Sequence, residues 1–234
     1  NSNGTPNMEI EIHHQPANAA AKIRLNPNES CTAEAGLMIA MSETISITTT
    51  THKKSSGSLL KGVKRMLAGE SLFLNHFTAG GDSGEVWVAP VLSGDMFEYD
   101  LENETLIAES GSFMACEDSV DIDMGWQGFK SILSGEGLFW LKLSGTGKVI
   151  LNSFGAIYPV DVDGEYIVDT GHIVAFNESL DFSITKAGKS WISSFLGGEA
   201  LVCKFKGQGR VWCQSHNKSG FGKILGPMLK PRKS

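Results

Sequence analysis

The sequence predicts an all-β protein made of three tandem β-rich repeats arranged about a pseudo-threefold axis. Three observations predict it. Leu67-Ala68-Gly69-Glu70-Ser71-Leu72 returns as Leu133-Ser134-Gly135-Glu136-Gly137-Leu138 and again as Leu196-Gly197-Gly198-Glu199-Ala200-Leu201, with glycines 66 and then 63 residues apart. A second motif precedes it each time: an acidic residue, a small residue, a glycine and a short apolar strand. It begins at Glu34, Glu109 and Asp169. Finally, 27 glycines stand against 7 prolines among many short apolar runs, the composition of tight turns between strands rather than of disorder. A repeat of this size cannot bury its apolar face alone, so neighbouring copies complete the core. Residues 22–216 therefore read as one unit, with copies at about 22–90, 91–155 and 156–216. Residues 1–21 read as an N-terminal extension with a first strand, and 217–234 as a basic-apolar tail.

In chain order, residues 45–51 alternate apolar with polar or small side chains and predict a strand, as do 120–124 and 180–185. Residues 58–67 place Leu59, Leu60, Val63 and Leu67 near helical spacing, with shorter counterparts at 126–133 and 191–196. Each Gly-Glu step leads into an apolar run (72–77, 138–143, 201–205), a glycine-containing loop (79–84, 145–147, 207–209) and a second run (86–88, 149–151, 211–213). Two such runs around a short glycine loop predict a β-hairpin in every copy, because glycine adopts positive φ without strain. Cys203 and Cys213 flank Gly207-Gln208-Gly209 symmetrically. Across that hairpin they would face each other, as a disulfide or as buried free thiols. In the tail, Gly220, Gly222, Gly226, Pro227 and Pro231 weaken any long helix.

With 234 residues and 41% hydrophobic content, the chain can bury a core without disulfides or metals. Its 20 Lys+Arg against 26 Asp+Glu give a net charge of -6, which argues against broad capture of nucleic acid. No run approaches the ~18 apolar residues of a membrane helix, and no secretory signal is visible, so a cytoplasmic location is expected.

Sites of chemistry are sparse. Glu70, Glu136 and Glu199 occupy equivalent places in the copies, and three converging carboxylates could hold a cation through oxygen. The competing reading is that glycine permits the bend into the strand while glutamate forms a salt bridge or faces water. Gly81-Asp82-Ser83-Gly84-Glu85 lacks the context of a serine nucleophile and reads as a turn. Gly145-Thr146-Gly147-Lys148 is followed by Val149 and is no phosphate loop. The six histidines form no ligand spacing, and no Cys-x-x-Cys pair exists. No cofactor and no catalytic residue is expected. The tail sets Lys218, Lys223 and Lys230 around Phe221, Ile224 and Leu225, a pattern for docking a protein partner or a membrane surface. Trp87 and Trp212 match in the first and third copies and are expected to pack between repeats.

Several stretches resemble the altered-inheritance-of-mitochondria protein 24 family: residues 64–72, Trp126-Gln127-Gly128, residues 133–138, and Gly209-Arg210-Val211-Trp212-Cys213-Gln214-Ser215. The resemblance spans about 22–216. It implies three tandem units similar to the tryptophan RNA-binding attenuation protein, a short double-stranded β-helix type, assembled as a homotrimer. It carries no catalytic residues, and kinship of fold does not carry RNA or tryptophan binding with it. The expectation is a non-enzymatic oligomeric scaffold or interaction protein. The alternative is a small-ligand or RNA-binding module with sites between repeats or subunits.

Overall fold

The computed structural model describes residues 8–50, 72–124, 140–186 and 201–229, and the protein is predominantly β. The strands are β1 (Glu9–His13), β2 (Ala20–Leu25), β3 (Ser30–Glu34), β4 (Met38–Met41), β5 (Ile45–Thr50), β6 (Leu74–Ala79), β7 (Gly84–Val88), β8 (Met96–Glu109), β9 (Phe113–Glu117), β10 (Val120–Asp123), β11 (Trp140–Asn152), β12 (Ile157–Asp169), β13 (Ile173–Asn177), β14 (Asp181–Lys186) and β15 (Leu201–Gln214). Among the described residues one α-helix, α1 (Lys218–Leu225), follows. The expected strands at 45–51, 120–124 and 180–185 correspond to β5, β10 and β14. The expected helices at 58–67, 126–133 and 191–196 lie outside the described residues.

A four-stranded sheet runs β1-β2-β7-β4. A second path runs β12-β15-β13-β8-β11-β9-β3-β6-β5, with β10 on β11 and β14 on β15. The long antiparallel pairs β8·β11 and β12·β15 are its backbone. β10 lies along the first part of β11 and β9 along the second. On β15, β14 and β13 take the same two places. β9 also pairs with β3, and β13 with β8.

This arrangement buries both faces of the shared strands. On β11, Ile150 enters one core while Val149 and Leu151 enter the next. On β8, Leu106 and Ala108 enter that second core while Ile107 enters a third. Phe77 fills the first core, Phe113 the second, and Phe176 with Phe205 the third. Strands buried on both faces carry continuous apolar runs instead of alternation, which is how Phe113-Met114-Ala115-Cys116 and Ile173-Val174-Ala175-Phe176 read.

The expected hairpins do not form. β11 passes through Gly145-Thr146-Gly147 and β15 through Gly207-Gln208-Gly209 without reversing. The glycines do a different task there: Gly145, Gly147 and Gly207 have φ of 116°, 147° and 117°. Those values let a strand change neighbours midway, and the β8·β11 register shifts between Gly145 and Thr146. At 80–83 the chain does leave β6 for β7, yet β6 pairs with β3 and β5, and β7 with β2 and β4. Cys203 and Cys213 consequently share one strand and cannot face each other across a hairpin. Both are buried free thiols, and burial pushes them up to about 12 and about 11.

Candidate functional site

Two strands end in acids, one half-buried and one buried, that lie close enough for their charges to interact. β3 ends at Glu34 and β8 at Glu109, and a 3₁₀ turn at Ser110–Ser112 follows the second. Glu109 is only 6% exposed and accepts from the Ser112 hydroxyl at 3.4 Å. Burial and the neighbouring Glu109 charge raise Glu34 to about 7, with Lys218 pulling the other way. A cavity of about 410 Å³ opens beside Glu34, lined also by Leu37, Leu92, Met114, Phe154 and Lys218, with Val91 at its exposed edge. Asn152, its amide nitrogen turned to the Gly111 and Ser112 carbonyls at 3.3 and 3.0 Å, fixes the turn on one wall. Gln214 fixes another, accepting from the Phe154 amide at 2.8 Å and donating to the Gly171 carbonyl at 3.1 Å.

The C-terminal helix closes one side of this site. Asn217 caps α1, its side-chain oxygen accepting from the Gly220 amide at 2.5 Å, while its amide nitrogen meets His172 Nε2 at 2.9 Å. His172 Nδ1 donates to the Gln214 carbonyl at 2.7 Å, which leaves Nε2 to accept from Asn217. Lys218 lies against Gly111, where a Cβ would collide with its ammonium, and reaches Glu109 at 3.3 Å. Phe221 packs edge-on against Phe154 at 5.5 Å, and His216 packs on the same ring at 5.2 Å. Beyond these anchors Ile224, Leu225, Met228 and Leu229 are exposed. An eight-residue helix thus forms despite the tail's glycines, because capping and docking of its first turn offset their cost.

Of the expected tail residues, Lys218 and Phe221 bind the body, Lys223, Ile224 and Leu225 project from it, and Lys230 lies outside the described residues. Glu70, Glu136 and Glu199 lie outside them as well. Glu34 and Glu109 were legible only as the opening acids of the second motif. Their pairing needed the strand order. The third such acid, Asp169, accepts from the Gly171 amide at 2.9 Å and serves its own turn. Among the described residues no group of three or more His, Cys, Asp and Glu side chains is placed to hold a metal ion. Trp212 is buried between Phe97, stacked at 5.6 Å, and Tyr99, edge-on at 5.2 Å. Trp87 packs beside His13 and Lys22. No described helix is long and apolar enough to cross a membrane.

The family model described as mitochondrial biogenesis AIM24 matches residues 10–216. The chain is 30% identical over 224 residues to the uncharacterised protein M6_Spy0233 of Streptococcus pyogenes serotype M6, covering 93% of this chain and 90% of the relative. The crystal structure of protein SPYM3_0169 from Streptococcus pyogenes superposes with a TM-score of 0.77 at 27% identity, covering 95% of this chain and all of the other. The chain belongs to the AIM24 family.

Proposed function

We propose that this AIM24-family chain is a non-enzymatic scaffold: three tandem β units, similar to the tryptophan RNA-binding attenuation protein fold, that assemble with other copies and offer the C-terminal helix to a partner. The recurring strand arrangement supports the three-unit reading. β2 and β3 pair with β7 and β6, as β8 pairs with β11 and β12 with β15. In each set a short strand with a bulge lies beside the second half of the last strand. The observation that carries the scaffold reading is α1 itself. Its first turn is clamped by Lys218 on Glu109 and Phe221 on Phe154, while Ile224, Leu225, Met228 and Leu229 stand in solvent beside Lys223. A helix held by its first turn, with an uncovered apolar side and a basic flank, is suited to binding another surface.

Truncation after Asn217 tests this. Binding to anionic vesicles, or recovery of a protein partner in pull-downs, is expected to fall while the β body stays folded, its melting temperature lowered only by the loss of the Lys218 and Phe221 contacts. Equal binding by the full and shortened chains removes the tail from the account.

A second reading is favoured by the cavity lined by Glu34 and Lys218: a small ligand held between units. A thermal-shift screen of amino acids, divalent cations and short RNAs tests it, because a ligand of the folded state raises the melting temperature by mass action. Absence of any shift ends that reading.

A further inference from the structure

The cavity beside Glu34 has apolar walls and one carboxyl group with nothing to hold. Leu37, Leu92, Met114 and Phe154 supply the walls, and Asn152, Gln214, Lys218 and Glu34 the polar side chains. Three of these four are already engaged. Asn152 turns its amide nitrogen to the Gly111 and Ser112 carbonyls, Gln214 joins the Phe154 amide to the Gly171 carbonyl, and Lys218 reaches Glu109 at 3.3 Å. Among the described residues no donor reaches the Glu34 carboxyl.

The charges point the same way. Glu34 and Glu109 face one ammonium, that of Lys218, and among the described residues no other cation acts on Glu34. One negative charge is therefore left over when both acids ionise. Burial makes that ionised form unfavourable, and an apolar side chain would complete the wall without the penalty. A titratable group so placed, in a cavity of about 410 Å³ with apolar walls, is suited to orient a ligand.

We infer that this cavity takes a small organic cation, a primary ammonium on an apolar body, the ammonium donating to the Glu34 carboxylate and the body lying against Leu37, Leu92, Met114 and Phe154. This rests on the reading of the cavity as a small-ligand site and names the class of ligand. A ligand carboxylate fits less well, because Lys218 is held by Glu109 and a third negative charge would join two. A neutral ligand would displace water and leave the Glu34 charge buried without a partner. The cation also holds Glu34 ionised. Below about pH 7 its binding therefore expels the Glu34 proton, so affinity rises with pH up to that value and levels above it. An alkylamine keeps its own proton over this range, as a lysine does.

Isothermal titration calorimetry of the full chain with hexylamine, hexanol and hexanoate, between about pH 5 and pH 8, tests this. Hexylamine is expected to bind in preference to the other two. Its heat at about pH 6 should vary with the ionisation enthalpy of the buffer, which reports the expelled proton. Glu34→Gln is expected to weaken hexylamine about 10–100-fold and to remove the pH dependence. Leu92→Trp, at a half-buried wall position, fills the cavity with Glu34 in place and is expected to abolish binding. Hexanol or hexanoate binding as tightly as hexylamine, and lost in Leu92→Trp, overturns the cation and leaves the small-ligand reading standing. Hexylamine binding that Glu34→Gln leaves unchanged overturns the cation as well. So does a chain that binds none of the three, and the small-ligand reading falls with it only if the wider thermal-shift screen is silent too.

Discussion

Glu34 and Lys218 are the residues whose chemistry the fold alters most usefully. Glu34 titrates at about 7 when folded against an ordinary 4.5, because of burial and the Glu109 charge. Between those values the unfolded chain has already released a proton that the folded chain still holds. The stability Glu34 contributes is therefore full below about pH 4.5 and is lost as pH rises to about 7. Glu34→Gln is expected to flatten that part of the stability profile and to stabilise the protein by about 2 kcal/mol at pH 8. Urea unfolding from pH 4 to 8 checks it, and an unchanged slope would show that Glu34 ionises freely. Lys218→Met leaves the Glu109 carboxylate buried without its cation. The lysine is half exposed, so a loss of only about 1 kcal/mol is expected. Because Lys218 holds Glu34 down, the same variant is expected to move the Glu34 transition to higher pH. Hydrogen exchange along α1 should quicken in parallel.

At the scale of elements, the connectors between long strands are more tightly built than their composition conveys. Gly94 bridges Gly155, the Asp95 amide donates to the Gly155 carbonyl at 3.1 Å, and the Gly155 amide donates to the Ser93 carbonyl at 3.0 Å. A Cβ on Gly94 would lie 1.8 Å from the Ser153 carbonyl oxygen. Gly94→Ala is expected to cost about 2–4 kcal/mol by urea unfolding. Gly81→Ala, with nothing near its Cβ, is expected to stay within about 0.5 kcal/mol. Equal costs would contradict this description of the connectors. The sequence made short strands such as β5, β10 and β14 legible through alternation. It hid β8 and β12, whose charged stretches Glu98-Tyr99-Asp100-Leu101-Glu102 and Asp161-Val162-Asp163-Gly164-Glu165 look like loops. Gly145 and Gly207 were misread for one reason. Positive φ serves a tight reversal and a change of sheet partner equally well, and only the pairing register separates the two. Glu34 and Glu109 could not be joined from the sequence either, because they approach through a strand order that local pattern does not encode.

For the whole molecule, the sharing of strands between cores matters more than any one core. Ile150 and Leu151 are neighbours on one strand yet belong to different clusters, as are Ile107 and Ala108. No core can dissolve without exposing the back of the next, so a single unfolding transition is expected. Phe77→Leu in the first core and Phe205→Leu in the third should each shift that one transition, by about 1–2 kcal/mol. Two separated transitions would show independent units. Among the described residues β4 and β12 each pair on one side only, and assembly with other copies, proposed above, is the central claim. Sedimentation velocity on the intact protein across a dilution series tests it most directly. A discrete multimer that the single change Ile167→Glu reduces to one chain is the predicted result. A protein that sediments as one chain at every concentration, or a multimer indifferent to Ile167→Glu, would contradict it.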